Sequence, residues 1–313
     1  MLFFVLQMLI ACRIYPKIES YQEQKLEEAE MRPAVFEENT AQIHYWEGGN
    51  LQGKPLLFLH GFGGDAAWTW ARNFPDFAEE YHIIAPDLLW FGGSEENVEP
   101  SLQAQVEAIQ QLLAHKQIAS TSIIGLSYGG FVGMELSKTF PVDSLVLVGV
   151  GDWQFSEQEV AVLTTRFEVD QLEEIFVPQT KEDTRTLIDI CFYAPTYLVP
   201  KQLSDDLYGT VFGKYPEQQA ELLRELIENQ QEYRQHQASY QAAQTLIILG
   251  ETDPLFTIAQ AKELSGILNG ELRVYQNADH APIFGYSRKF GKDVNQFLEK
   301  REGAAASLKR EEE

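Results

Sequence analysis

The sequence predicts an α/β fold: a mostly parallel sheet flanked by helices, with a helical cap inserted between core strands 6 and 7. Three observations carry this expectation. Short apolar runs bounded by turn residues alternate with stretches of helical spacing over residues 35–148, and that alternation buries a parallel sheet between two helical layers. The alternation stops over residues 152–243, where helix-like runs follow one another, and resumes with two more apolar runs, 245–249 and 272–275. A chain of 313 residues, 44 % hydrophobic, can fill one large core and still carry such an insertion.

Taken in order, residues 1–31 read as an N-terminal apolar segment and a linker. The first eleven residues are apolar but too few to span a bilayer as a helix. Leu9-Ile10-Ala11-Cys12 resembles a bacterial lipobox, so one reading is an exported or membrane-anchored lipoprotein with a lipid anchor at Cys12. The basic residues expected ahead of a secretory signal are missing, and a cytoplasmic protein with a membrane-associated or mis-started N-terminus stays open beside it. Residues 19–31 are charged and helix-favouring, as in a linker or a loose surface helix.

The core is expected over residues 32–151 and 244–300. Opening strands fall at 35–37 and 43–46, and Leu56, Leu57, Phe58 and Leu59 form a buried strand ending at His60-Gly61. His82 to Ala85 gives the next strand, and Val106, Ile109, Leu112 and Leu113 mark the apolar stripe of a helix. Strands at 122–124 and 144–148 flank a helix beginning near Phe131. The cap spans 152–243. It holds 17 acidic and 7 basic residues, and its aromatics, among them Phe167, Phe176, Phe192, Tyr193, Tyr197, Tyr208, Phe212 and Tyr215, suggest an apolar pocket as well as ordinary packing. Residues 301–313 are expected to be a disordered tail.

Charge and cysteine usage remove several functions. With 47 acidic and 24 basic residues the net charge is −23, which is wrong for nucleic acid, bound through neutralisation of phosphates by Lys and Arg. Cys12 and Cys191 offer neither a disulfide framework nor paired metal-ligand spacing, and no cofactor or metal is expected. The composition leaves oligomeric state open.

The chemistry concentrates around Ser127. A serine hydroxyl becomes nucleophilic when a histidine accepts its proton and a carboxylate orients that histidine. Gly125-Leu126-Ser127-Tyr128-Gly129 follows an apolar strand and precedes a helix opening on Gly129-Gly130, the context in which a Gly-x-Ser-x-Gly turn exposes its serine. His280, in a loop after the last strand, is the preferred base. His60 follows a strand but is better placed to brace a loop. Asp253, in Gly250-Glu251-Thr252-Asp253-Pro254, is the preferred acid, giving the order Ser127, Asp253, His280. Asp152, after the sixth strand, is its competitor, while Asp279 and Glu251 carry less weight. Backbone N–H donors for an oxyanion would come from Tyr128 and from Phe62 in His60-Gly61-Phe62-Gly63-Gly64.

These motifs together resemble the α/β-hydrolase superfamily over roughly residues 35–298, the cap excepted. His-Gly-Phe-Gly-Gly with Ser-Tyr-Gly-Gly-Phe is similar to its serine carboxylesterase and monoacylglycerol-lipase-like branch. The resemblance implies an α/β-hydrolase fold and hydrolysis of a small-molecule acyl ester through a covalent acyl-enzyme. Two alternatives stand beside it: carbon–carbon bond hydrolysis of vinylogous diketones, and a ligand-binding or sensory module with slow turnover. The substrate and its acyl chain length depend on how the cap sits, which residue spacing does not specify.

Overall fold

A computed structural model describes residues 14–38, 40–152, 156–191, 201–236 and 239–311. Cys12 lies outside them, as do the cap aromatics Phe192, Tyr193 and Tyr197.

Eight strands form one sheet: β1 (Arg32–Glu38), β2 (Ala41–Gly49), β3 (Lys54–Leu59), β4 (Tyr81–Pro86), β5 (Thr121–Leu126), β6 (Val142–Val148), β7 (Thr245–Gly250) and β8 (Glu271–Tyr275). Their spatial order is β1-β2-β4-β3-β5-β6-β7-β8. The β1–β2 and β2–β4 pairs are antiparallel, and every pair from β4 through β3 to β8 is parallel.

Burial explains the difference. β7 is buried at all of its positions, so both faces of the central sheet are covered, whereas β2 alternates buried and half-buried residues and β1 is mostly exposed. Side chains alternate between faces along each strand. Leu57, Leu59, Ile123, Leu147 and Ile247 therefore join one core layer, while Leu56, Phe58, Ile124, Val146 and Ile248 join the other.

The first layer is covered by helices Leu102–His115, Tyr128–Leu136 and Ile258–Ile267. Ser101 caps the first of these, its hydroxyl accepting from the Ala104 N–H at 3.1 Å. Helix Ile14–Glu28 covers part of the second layer together with the final helix, Ser287–Glu311. The charged segment read as a loose linker or surface helix buries Leu26, Ala29 and Met31 in the same cluster as Trp70, Phe74 and Phe77. At the other end the helix runs past Arg301, through Ala304-Ala305-Ala306, residues of high helix propensity.

Between β6 and β7 the chain leaves the sheet for helices Glu157–Phe167, Glu173–Phe176, Thr184–Cys191, Lys201–Leu207, Pro216–Glu228 and Gln230–Gln235, with a π-helical turn at Tyr208–Phe212. Polar contacts fasten this insertion to the sheet domain in two places. Lys214 Nζ and Gln219 Nε2 donate to the carbonyls of Gly92 and Trp90, at 2.9 and 2.8 Å. Elsewhere Arg234 pairs with Glu263 of helix Ile258–Ile267 at 3.0 Å, and Gln260 Nε2 of the same helix donates to Glu159 at 2.9 Å.

Candidate active site

β5 delivers Ser127 to the carboxyl edge of the sheet. Ser127 sits at φ 50°, ψ −115°, a conformation that costs a non-glycine residue strain. Three contacts hold it there: its N–H donates to the Val148 carbonyl at the end of β6, at 2.8 Å, and its carbonyl accepts from the N–H groups of Gly130 and Phe131 at 2.8 and 3.3 Å. The flanking glycines are required by space. A Cβ on Gly129 would fall on the carbonyl oxygens of Leu59 and His60, and one on Gly125 would meet the Gly129 carbonyl.

His280 and Asp253 meet at the ends of β8 and β7. His280 Nδ1 lies 3.0 Å from Asp253 Oδ2, and both side chains are buried. The other carboxylate oxygen, Oδ1, accepts from the N–H groups of Leu255 and Phe256 at 2.8 and 3.0 Å. These bonds fix the carboxylate and aim its second oxygen at the imidazole. The ring packs on Gly149, where a Cβ would stand 3.0 Å from Cε1 and 3.1 Å from Nδ1. Gly149 follows Val148, the residue that accepts from Ser127 N–H, so the imidazole lies beside the elbow's own anchor.

The competing acids have other partners. Asp152 is fully buried and faces Arg234 from the insertion. Asp279 accepts from Thr252 Oγ1 at 2.7 Å, and Glu251 accepts from the Asn277 N–H at 3.1 Å. His60 is buried between two loops: Nδ1 bonds the Gly61 carbonyl and Nε2 accepts from the Leu88 N–H, both at 2.8 Å. Burial pushes its pKa down to about 4, so the ring is neutral at pH 7. His44 and His82 are engaged by Gln42 and Glu47 on strands β2 and β4.

Phe62, Tyr128 and Ser127 line one narrow cavity of about 30 Å³, together with Phe131 and Phe256. The Phe62 ring stands edge-on to Tyr128 at 5.3 Å and to Phe91 at 5.2 Å. Among the described residues, the backbone N–H groups of Phe62 and Tyr128 bond to no other protein group. Both are available to an oxyanion.

Two features escaped the reading of the sequence. Gly149, the seat of the imidazole, is a lone glycine after a strand and carries no motif. Behind the Phe62 loop, Asp87 accepts from the N–H groups of Ala66 and Gly93, both at 3.0 Å, while Asp65 caps helix Ala66–Trp70 through the Trp68 N–H at 2.7 Å. Burial, reinforced by the neighbouring Asp65, pushes Asp87 up to about 7. Burial raises Asp65 as well.

Residues 54–285 match the family defined by the alpha/beta hydrolase fold. The chain belongs to this family. Among its relatives, Lipase 1 of Psychrobacter immobilis is 29 % identical over 76 % of this chain and 75 % of its own length. The 2-hydroxymuconate semialdehyde hydrolase of Pseudomonas sp. strain CF600 is 26 % identical, covering 82 % and 90 %. The crystal structure of a putative lipase from Acinetobacter baumannii AYE superposes with a TM-score of 0.77, at 22 % identity, over 91 % of this chain and 97 % of that one. The relatives of this α/β hydrolase thus include proteins named as lipases and one named as a 2-hydroxymuconate semialdehyde hydrolase.

Proposed function

We propose that this ester-hydrolysing α/β hydrolase works through a covalent acyl-enzyme, with Ser127 as nucleophile, His280 as general base and Asp253 as the carboxylate that orients the imidazole. The observation that carries the reading is the buried Asp253–His280 hydrogen bond of 3.0 Å, seated on Gly149 next to the anchor of the Ser127 elbow. With Nδ1–H held by Asp253, Nε2 keeps its lone pair for the Ser127 hydroxyl proton. Ser127 Oγ then attacks the ester carbonyl, and the N–H groups of Phe62 and Tyr128 receive the developing oxyanion. One such donor is worth about 10²–10³ in rate. The intermediate collapses as imidazolium returns the proton to the departing alcohol, and water, deprotonated by the same histidine, releases the acid.

The carbon–carbon hydrolase reading, supported by the 2-hydroxymuconate semialdehyde hydrolase relative, fits less well. Such dienoate substrates bear a carboxylate, and among the described residues no Lys or Arg lines the cavity at Ser127. A burst of p-nitrophenol from short and medium acyl esters, with fluorophosphonate labelling lost in Ser127→Ala, is the expected result. Absence of ester turnover together with an unlabelled Ser127 would overturn the assignment.

A further inference from the structure

The cavity at Ser127 is apolar apart from the serine itself, and the insertion supplies part of its wall. Leu163 comes from helix Glu157–Phe167, and Leu223 and Leu226, three residues apart on one face, come from helix Pro216–Glu228. All three are at least nine-tenths buried. The space beside Ser127 is about 30 Å³, roughly an order of magnitude below pockets that hold drug-sized ligands.

That roof is fastened at two points along the helix that carries Leu223 and Leu226. Gln219, fully buried, donates to the Trp90 carbonyl at 2.8 Å. Glu225 accepts from the Leu102 N–H at 3.1 Å, the first turn of helix Leu102–His115, where the helix dipole favours a carboxylate. The helix bearing Leu223 and Leu226 is therefore held by one bond before these leucines and by another between them. The nearby insertion cations are turned to backbone carbonyls, Lys214 to Gly92 and Arg166 to Pro254.

Resting on the acyl-enzyme reading, we propose that Leu163, Leu223 and Leu226 set the acyl length and confine this hydrolase to short, uncharged acyl groups of about two to four carbons. A longer chain has to displace buried leucines whose helix is tied down, and an acyl group ending in a carboxylate meets no countercharge. The leucines are specificity determinants; they touch the acyl chain and take no part in proton transfer.

The test is a series of p-nitrophenyl esters from acetate to dodecanoate on the full chain, alongside Leu223→Ala, Leu163→Ala and Leu226→Phe. Wild type is expected to peak at acetate to butyrate, with kcat/KM for octanoate at least about tenfold lower. Each methylene accommodated in an apolar site is worth about fourfold. Either alanine variant should therefore move the optimum up by two or more carbons, and Leu226→Phe should move it toward acetate. The two alanine substitutions lie on different helices, thermal melts report whether each variant is folded, and the wild-type profile tests the proposal by itself. A wild-type optimum at octanoate or beyond, or an optimum unmoved in folded variants, overturns it. Fluorophosphonate labelling of Ser127 separates the two levels: labelling with a long-chain optimum removes the length assignment and leaves the acyl-enzyme intact, whereas no labelling and no acetate turnover removes both.

Discussion

At the scale of single residues, the two candidate acids differ in what they face. Asp253 has one oxygen on two backbone N–H groups and the other on His280, while Asp152 spends its charge on Arg234. Asp253→Asn should therefore lower kcat by about 10⁴, the scale seen when a serine triad loses the carboxylate that fixes its histidine tautomer. Asp152→Asn should leave kcat within about tenfold and lower the melting temperature instead; equal losses of kcat in both variants would contradict this division. A second pair of residues predicts an unusual pH dependence. His60, pushed down to about 4, refuses the proton that the unfolded chain accepts below about 6.5, so its contribution to stability falls as pH drops through that window. Asp87, pushed up to about 7, keeps a proton that the unfolded chain has lost above about 3.8, so its contribution falls as pH rises. Between about pH 4 and 6.5 the two slopes oppose each other, each about 1.4 kcal/mol per pH unit. Asp87→Asn removes one of them. The unfolding free energy of the variant, relative to wild type, should climb by about 1.4 kcal/mol per unit from pH 4 to 6.5 in urea titrations, whatever constant offset the lost hydrogen bond introduces. A difference that stays flat with pH would mean that Asp87 is ionised throughout.

At the scale of elements, the turn between β5 and helix Tyr128–Leu136 is a tight junction, with no room for a methyl group at Gly125 or Gly129. Gly129→Ala would drive a methyl group into the carbonyls at the end of β3, so either the elbow or the Phe62 loop must move. A loss of about 2–4 kcal/mol, the range of core overpacking and strain, is expected. It should be read from denaturant melts, and activity should fall further than stability because Phe62 and Tyr128 shift with the elbow. The same junction shows what a sequence can disclose. Gly-x-Ser-x-Gly was legible because the motif is local, five consecutive residues between an apolar strand and a helix, even though Gly129 itself answers to the distant carbonyls of Leu59 and His60. The strands were legible because each is an apolar run between turn residues. Gly149 was not, since its reason is the His280 ring, 131 residues away in sequence. Nor was the choice between Asp152 and Asp253, which turns on Arg234, a residue of the insertion with no sequence link to either. Residues 19–31 read as a linker or loose surface helix because Leu26, Ala29 and Met31 are sparse among charges, and only the cluster around Trp70 reveals that they are buried.

At the scale of the whole molecule, the acidic excess acts on both folding and substrate choice. A net charge of −23 spread over one compact domain and its insertion repels itself. Raising ionic strength from 0.01 to 0.15 M shortens the screening length from about 30 to about 8 Å, which weakens repulsion between distant carboxylates more than a close pair such as Arg234–Asp152 at 3.0 Å. The melting temperature should rise by several degrees over that interval of sodium chloride and then level off. A melting temperature that falls with salt would instead mean that close ion pairs outweigh the long-range field. The same field reaches the substrate before it arrives. For a neutral acetyl ester kcat/KM should be nearly independent of salt. For an ester carrying a carboxylate on its alcohol, association works against the field at low salt and recovers as the field is screened, so kcat/KM should rise several-fold from 0.01 to 0.15 M. The ratio of the two esters, measured on one preparation, cancels changes in folded fraction and isolates the electrostatic term. A ratio that does not move with salt would show that the −23 lies too far from the entrance to act on the substrate, and that discrimination against charge is made wholly inside the apolar cavity at Ser127.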